Sequence, residues 1–262
     1  MSLDQQQSDE IKQYLINKIR IKLSSYNPET TSMPFHYRLL GKDRMAIFSF
    51  VHSVNTMLGI SIFEHIGRLI ADKNFEQVVD QYRGFSGYIS SEAVLKIDHI
   101  MRDLKSTSRR PNKEKETLEV MQVSKNGDLG EEQKKRIDLF IKTKDNGEYY
   151  IELKTAKPNI DVFRTTKKQL LEWVAMRASK ASGSINVMTI LAIPYNPYEP
   201  EPYERWTLQG LFDLEHEVLV GVEFWDFLGG EKTYEDLLEV FEEVGLVLYD
   251  EIDEKMRGLR KM

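Results

Sequence analysis

Residues 136–159 read RIDLFIKTKDNGEYYIELKTAKPN, with Asp138 on one β-rich run and Glu152 and Lys154 on the next. Two neighbouring carboxylates make a hard-oxygen site for a magnesium ion, which takes one or two of them and completes its shell with water and substrate phosphate. An adjacent lysine can hold or deprotonate an attacking water, or offset charge building on a phosphate. Such a trio suits metal-dependent phosphodiester hydrolysis. The same three charges on a solvated hairpin would be a salt-bridged ladder with no chemistry.

The turn decides between them. Residues 137–143 and 149–155 are rich in β-branched and aromatic side chains, and Lys-Asp-Asn-Gly separates them, which is a hairpin signal. A three-residue loop of Asp145, Asn146 and Gly147, with Gly147 left-handed, pairs Lys144 with Glu148 and sets Asp138 opposite Lys154. Side chains alternate along a strand, so Asp138, Glu152 and Lys154 then share a face. A two-residue Asn-Gly loop would turn Asp138 away. Leu139, Ile141, Ile151 and Leu153 line the opposite face while Phe140 and Tyr150 join the charged one, so the strands are expected to be buried on both sides. Buried carboxylates are costly unless paired or bound to metal.

Asp138 followed by Glu152-Leu153-Lys154 resembles the PD-(D/E)XK nuclease motif, with Ile137 where the family name has proline. The stretches IELKTAKPNIDVF, AIPYNPYEPEPYERW and GVEFWDFLGGEKTYEDLL are similar to the catalytic and C-terminal halves of type II restriction endonucleases, among them the group that cleaves GGNCC sites. The resemblance implies an α/β restriction-endonuclease-like core, a mixed β-sheet flanked by helices with additional N-terminal helices. It implies Mg2+ held by Asp138, Glu152 and the Leu153 carbonyl, with Lys154 acting on the water and 5′-phosphate and 3′-hydroxyl ends as products. Glu64, in GISIFEHIGRLI, fits the third acidic residue that such enzymes carry on a helix leading into the core; its alternative is a surface pair with Arg68, four residues on. A palindromic site calls for a homodimer, and a restriction enzyme needs a cognate DNA methyltransferase as genetic partner. A structure-selective or repair nuclease on the same core, and a DNA-binding protein that has lost activity, stand as alternatives.

Candidate DNA contacts follow the catalytic strand at Lys157, Asn159, Arg164, Lys167 and Lys168, and precede it at Arg109, Arg110 and Lys113. The net charge of −6 is unevenly spread: residues 101–180 carry 19 basic and 13 acidic side chains, residues 181–262 carry 6 and 18. The positive segment contains the candidate site, so one face could track phosphates. Gln169 and Trp173, one turn apart, resemble a glutamine-plus-aromatic motif of some relatives, but their spacing with Leu170 and Val174 reads as core. His65 and His99 read as structural, with no histidine pair at metal spacing.

The supporting elements follow from periodicity. Helices are expected over 9–23, over 43–72 with a kink near Gly59, from a Ser90 or Ser91 cap to residue 104, and over 163–180. Strands are expected at 118–123, 186–193 and 218–224, and a capping box from Thr233 to Asp236 opens a last helix. Residues 105–135 are charged and turn-rich, a candidate mobile segment near DNA. With 41% hydrophobic residues the 262-residue chain can bury one large core. It is expected to form a single domain, with residues 1–40 a candidate helical appendage. Absence of cysteine excludes disulfides and thiolate zinc sites. No signal-peptide core or apolar run of about 18 residues occurs, so a cytoplasmic protein with no membrane partner is expected.

Overall fold

The computed structural model describes residues 3–28, 33–204 and 207–261, so the last two residues of the AIPYNPYEPEPYERW stretch lie outside it. Among the described residues five helical segments come first: α1 (Gln5–Ser25), α2 (Pro34–Leu40), α3 (Lys42–Met57), a π-helical turn (Leu58–Ile62) and α4 (Phe63–Ala71) running on from it. Then come β1 (Gln77–Gly87), α5 (Ser91–Lys105), α6 (Lys113–Val123), β2 (Gln133–Lys142), β3 (Glu148–Leu153), α7 (Ile160–Ser179), β4 (Val187–Ile193), β5 (Val218–Val220), α8 (Val222–Gly229), α9 (Thr233–Val247) and α10 (Tyr249–Arg260).

The five strands form one mixed sheet in the order β1-β2-β3-β4-β5. The first two pairings are antiparallel and the last two parallel, with α7 as the crossover from β3 to β4. Both faces are covered. Phe85, Phe140 and Tyr150 pack with Ile97 of α5, Val120 of α6 and Trp173 of α7. On the other face Leu139, Ile141, Ile151 and Leu153 pack with Leu15 of α1, Ile66 of α4, Phe224 of α8 and Leu237 of α9. The expected two-sided burial of the hairpin is therefore observed, and α1 contributes directly to the core. No described helix is long and apolar enough to cross a membrane.

The hairpin register differs from expectation by two residues. Lys142, not Lys144, pairs with Glu148, so the loop is Thr143–Gly147, closed by Thr143 N–H to Gly147 O at 2.8 Å. Asn146 takes the left-handed conformation, φ 63°. Gly147 is required for space instead, since a Cβ there would stand 2.7 Å from Thr143 Oγ1. A slip of two preserves the face that a slip of one would invert, so Asp138 now lies across from Glu152.

Three other expectations change. Residues 118–123 are the end of helix α6, which Asn112 caps by accepting from Lys115 N–H at 2.8 Å. The strand at 218–224 stops at Gly221, whose φ of 53° turns the chain into α8. Thr233 is no capping box: left-handed Lys232 precedes the helix, and Asp226 accepts from the Tyr234 N–H at 3.1 Å. The kink near Gly59 is the π-helical turn, and Ser90 does cap α5, accepting from Ala93 N–H at 3.1 Å.

Candidate active site

Asp138 leaves β2 on the same face as Glu152 of β3. Its Oδ2 accepts the Leu153 N–H at 3.0 Å, tying the aspartate to the strand that carries the glutamate. Glu152 is 7% exposed, and its Oε2 accepts from Gln169 Nε2 on α7 at 2.9 Å. Its Oε1 accepts from Lys154 Nζ, just past the strand end, where the Lys154 N–H still donates to Ala192 O at 2.9 Å. Burial, and then the charge on Asp138, push the Glu152 carboxyl above the usual carboxylate range; the Lys154 ammonium opposes them.

Glu64 arrives from the first turn of α4, in the helix layer of the opposite face. It is 2% exposed and pairs with Arg136 of β2, not with Arg68, which lies 3.7 Å from Asp80. Arg136 Nη2 stands 2.5 Å from Glu64 Oε1 and 3.2 Å from Asp138 Oδ1, so one nitrogen bridges two carboxylates. The second oxygen of Glu64 is buried without a hydrogen-bond partner. Burial first, and the Asp138 charge second, raise the Glu64 carboxyl to about 7; Arg136 and Gln81 pull the other way. Gln81 is held in the left-handed region, φ 48°, just before the irregularity at Tyr82 and Phe85 that twists β1 beside the site.

Arg136 thus links Glu64 to Asp138, the Leu153 N–H ties Asp138 to the strand of Glu152, and Lys154 pairs with Glu152. Arg136, which the sequence reading does not single out, joins them, and so does Gln169, which that reading assigns to the core. Trp173 is core, as its spacing indicated, yet Gln169 on the same helix faces the glutamate. Arg136 precedes Asp138 by two on one strand, and that spacing was the signal available for it.

The candidate DNA residues divide. Lys157 is exposed, with its ammonium 4.9 Å from the Tyr198 ring centroid, and Arg110 is exposed. Asn159 caps α7, accepting the Val162 N–H at 2.9 Å; Arg164 pairs with Asp161 at 3.1 Å and Lys168 with Asp98 at 2.8 Å, both on the surface. Arg109 is clasped by Glu119 through two 3.0 Å bonds. Lys167 is fully buried, 2.6 Å from Glu116 and 2.5 Å from Glu217, and Lys113 reaches the same glutamate at 3.3 Å. These two lysines neutralise two core carboxylates and cannot reach a phosphate from there.

Residues 3–245 match the family model described as "Type II restriction endonuclease, HinfI". The chain belongs to this family of type II restriction endonucleases. Relatives include the type II restriction enzymes HgiCII and HgiEI of Herpetosiphon aurantiacus, 27% and 28% identical over 89% of this chain and 85% of their own length. MjaII of Methanocaldococcus jannaschii is 29% identical over 89% of this chain and 70% of its own. The family member described here is accordingly a site-specific deoxyribonuclease acting on double-stranded DNA, and its mixed sheet between helices is the restriction-endonuclease-like fold.

Proposed function

We propose that Asp138, Glu152, Lys154 and Glu64 form the catalytic centre of a Mg2+-dependent endonuclease that cuts a palindromic site, GGNCC, as a homodimer. The observation that carries this reading is the convergence of three carboxylates and one lysine where β2, β3 and α4 meet. Among the described residues no three acidic or histidine side chains stand close enough together to hold an ion; Arg136 stands between Glu64 and Asp138, and Lys154 pairs with Glu152. Two features nevertheless fit a hard cation: the donors are all oxygens, and Glu64 Oε2 is buried with no partner.

Asp138, Glu152 and the Leu153 carbonyl would hold Mg2+, with Glu64 beside them, and the ion when bound supplies positive charge to the phosphate and acidifies water. Lys154 holds the attacking water and offsets charge on the phosphodiester, its own position fixed by Glu152. Gln169 fixes the second oxygen of Glu152. Water gives up a proton to solvent as its oxygen bonds to phosphorus, the bond from phosphorus to the 3′-oxygen breaks and that oxygen takes up a proton, so the products are a 5′-phosphate and a 3′-hydroxyl. Lys157 and Arg110, exposed in the positive segment, would meet the DNA backbone, and a cognate methyltransferase would protect the host genome. The test is a labelled duplex containing one GGNCC site, incubated with Mg2+ or with chelator. Mg2+-dependent cutting of that duplex alone, with a 5′-phosphate product that ligates, supports the reading. Equal cutting of a duplex lacking the site removes the GGNCC assignment, and cutting in chelator removes the metal.

A further inference from the structure

We infer that Arg136 occupies the cation's place in the DNA-free enzyme, and that its guanidinium must leave Asp138 before a divalent cation can load. The inference rests on the assignment of Asp138 to metal binding, with Glu64 beside it, made above.

Four observations converge on it. Asp138 commits Oδ2 to the Leu153 N–H, so Oδ1, the oxygen facing Arg136 at 3.2 Å, is the one left for an incoming ion. Glu64 directs Oε1 at the same Nη2, 2.5 Å away, so the guanidinium meets the pair through a single nitrogen, as a point charge would. A paired fork on one carboxylate would be the stronger structural contact, and Arg136 does not make it. Finally, Arg136 is not anchored from behind: its Nε is buried with no partner, while its side chain is 36% exposed towards solvent.

Glu64, buried, and Asp138, half-buried, meet at one nitrogen, and when both are ionised a positive charge there stabilises the pair. The guanidinium supplies it without a cation, and a cation makes it redundant. The two therefore compete for one Asp138 oxygen. A DNA phosphate is a better guanidinium partner, able to take the planar fork. Whatever draws Arg136 away strengthens cation binding, and the reverse holds by linkage. The bridge would thus keep the enzyme from loading metal tightly until DNA is present.

The experiment is a titration of the DNA-free, full-length protein with Mn2+, a paramagnetic stand-in for Mg2+, followed by the spin-resonance signal of the free ion. Arg136→Gln is compared with the parent protein, with circular dichroism as the check on folding. The expected result is binding about tenfold tighter in the variant, equivalent to about 1.4 kcal/mol. In parallel, the Arg136 Nε resonance of the 15N-labelled parent protein is followed as Mg2+ is added, and it should move. Equal or weaker Mn2+ binding by a folded variant overturns the inference. An Arg136 resonance that Mg2+ leaves unmoved overturns it even if the variant does not fold. Absence of Mn2+ binding by both proteins refutes the metal assignment itself, which separates that failure from this one.

Discussion

Replacing Glu64 by glutamine keeps the side-chain shape and the oxygen that faces Arg136 while removing a charge the fold tolerates poorly. The carboxyl is raised from the usual 4.5 to about 7, chiefly by burial. Between those values the folded chain holds a proton that the unfolded chain has released, so stability falls as pH rises. The contribution is fully present below about pH 4.5 and lost by about pH 7. At about 1.36 kcal/mol per pH unit, the loss amounts to about 3 kcal/mol at most. Urea unfolding in chelator at pH 5 and pH 8 should show the parent protein losing up to this amount relative to Glu64→Gln, which lacks the titration. Both proteins carry the same remaining groups, so the difference between the two curves isolates Glu64. Parallel stability curves across the window would mean that Glu64 ionises as it does in water, and the buried third carboxylate would have to be abandoned.

Lys167→Ala leaves Glu116 without its buried lysine and Glu217 with Lys113 alone, and should cost about 3–5 kcal/mol in urea unfolding; an unchanged midpoint would refute the buried pairing. Gln169→Ala should lower kcat or metal affinity by about 10–100-fold with little change in stability, because it frees one oxygen of Glu152; wild-type kinetics would return Gln169 to the core reading. Lys157→Ala should weaken binding to cognate and unrelated duplexes alike and reduce the slope of log K against log salt by about 1. A loss confined to cognate DNA would make Lys157 a base reader.

The candidate catalytic hairpin was legible because its decisive property is parity. A five-residue loop in place of three moves the register by two, and Asp138, Glu152 and Lys154 keep their face. Glu64 was reachable only by resemblance, since its partner Arg136 lies 72 residues away. Lys167 shows the opposite limit. It shares the buried stripe of α7 with Phe163 and Leu170, but the carboxylates that make its burial tolerable come from α6 and from Glu217, far along the chain. Reading the charge alone placed it on the DNA. Residues 118–123, the last half of α6, are too short a run for periodicity to separate strand from helix, and the Asn112 cap upstream is the arbiter. In α7, Trp173 lies in the core while Gln169, one turn earlier on the same side, reaches Glu152.

Asp138, Glu152 and Lys154 are proposed to make this protein a magnesium-dependent cutter of one short DNA sequence. The most direct measurement incubates the purified protein with a plasmid of known sequence in Mg2+, beside Lys154→Ala, and sequences the fragment ends. Recurrent ends at a single palindrome, reduced by about 10²–10³-fold or more in the variant, are the expected result. An intact plasmid, or ends scattered through the sequence at the same rate in both proteins, would contradict it.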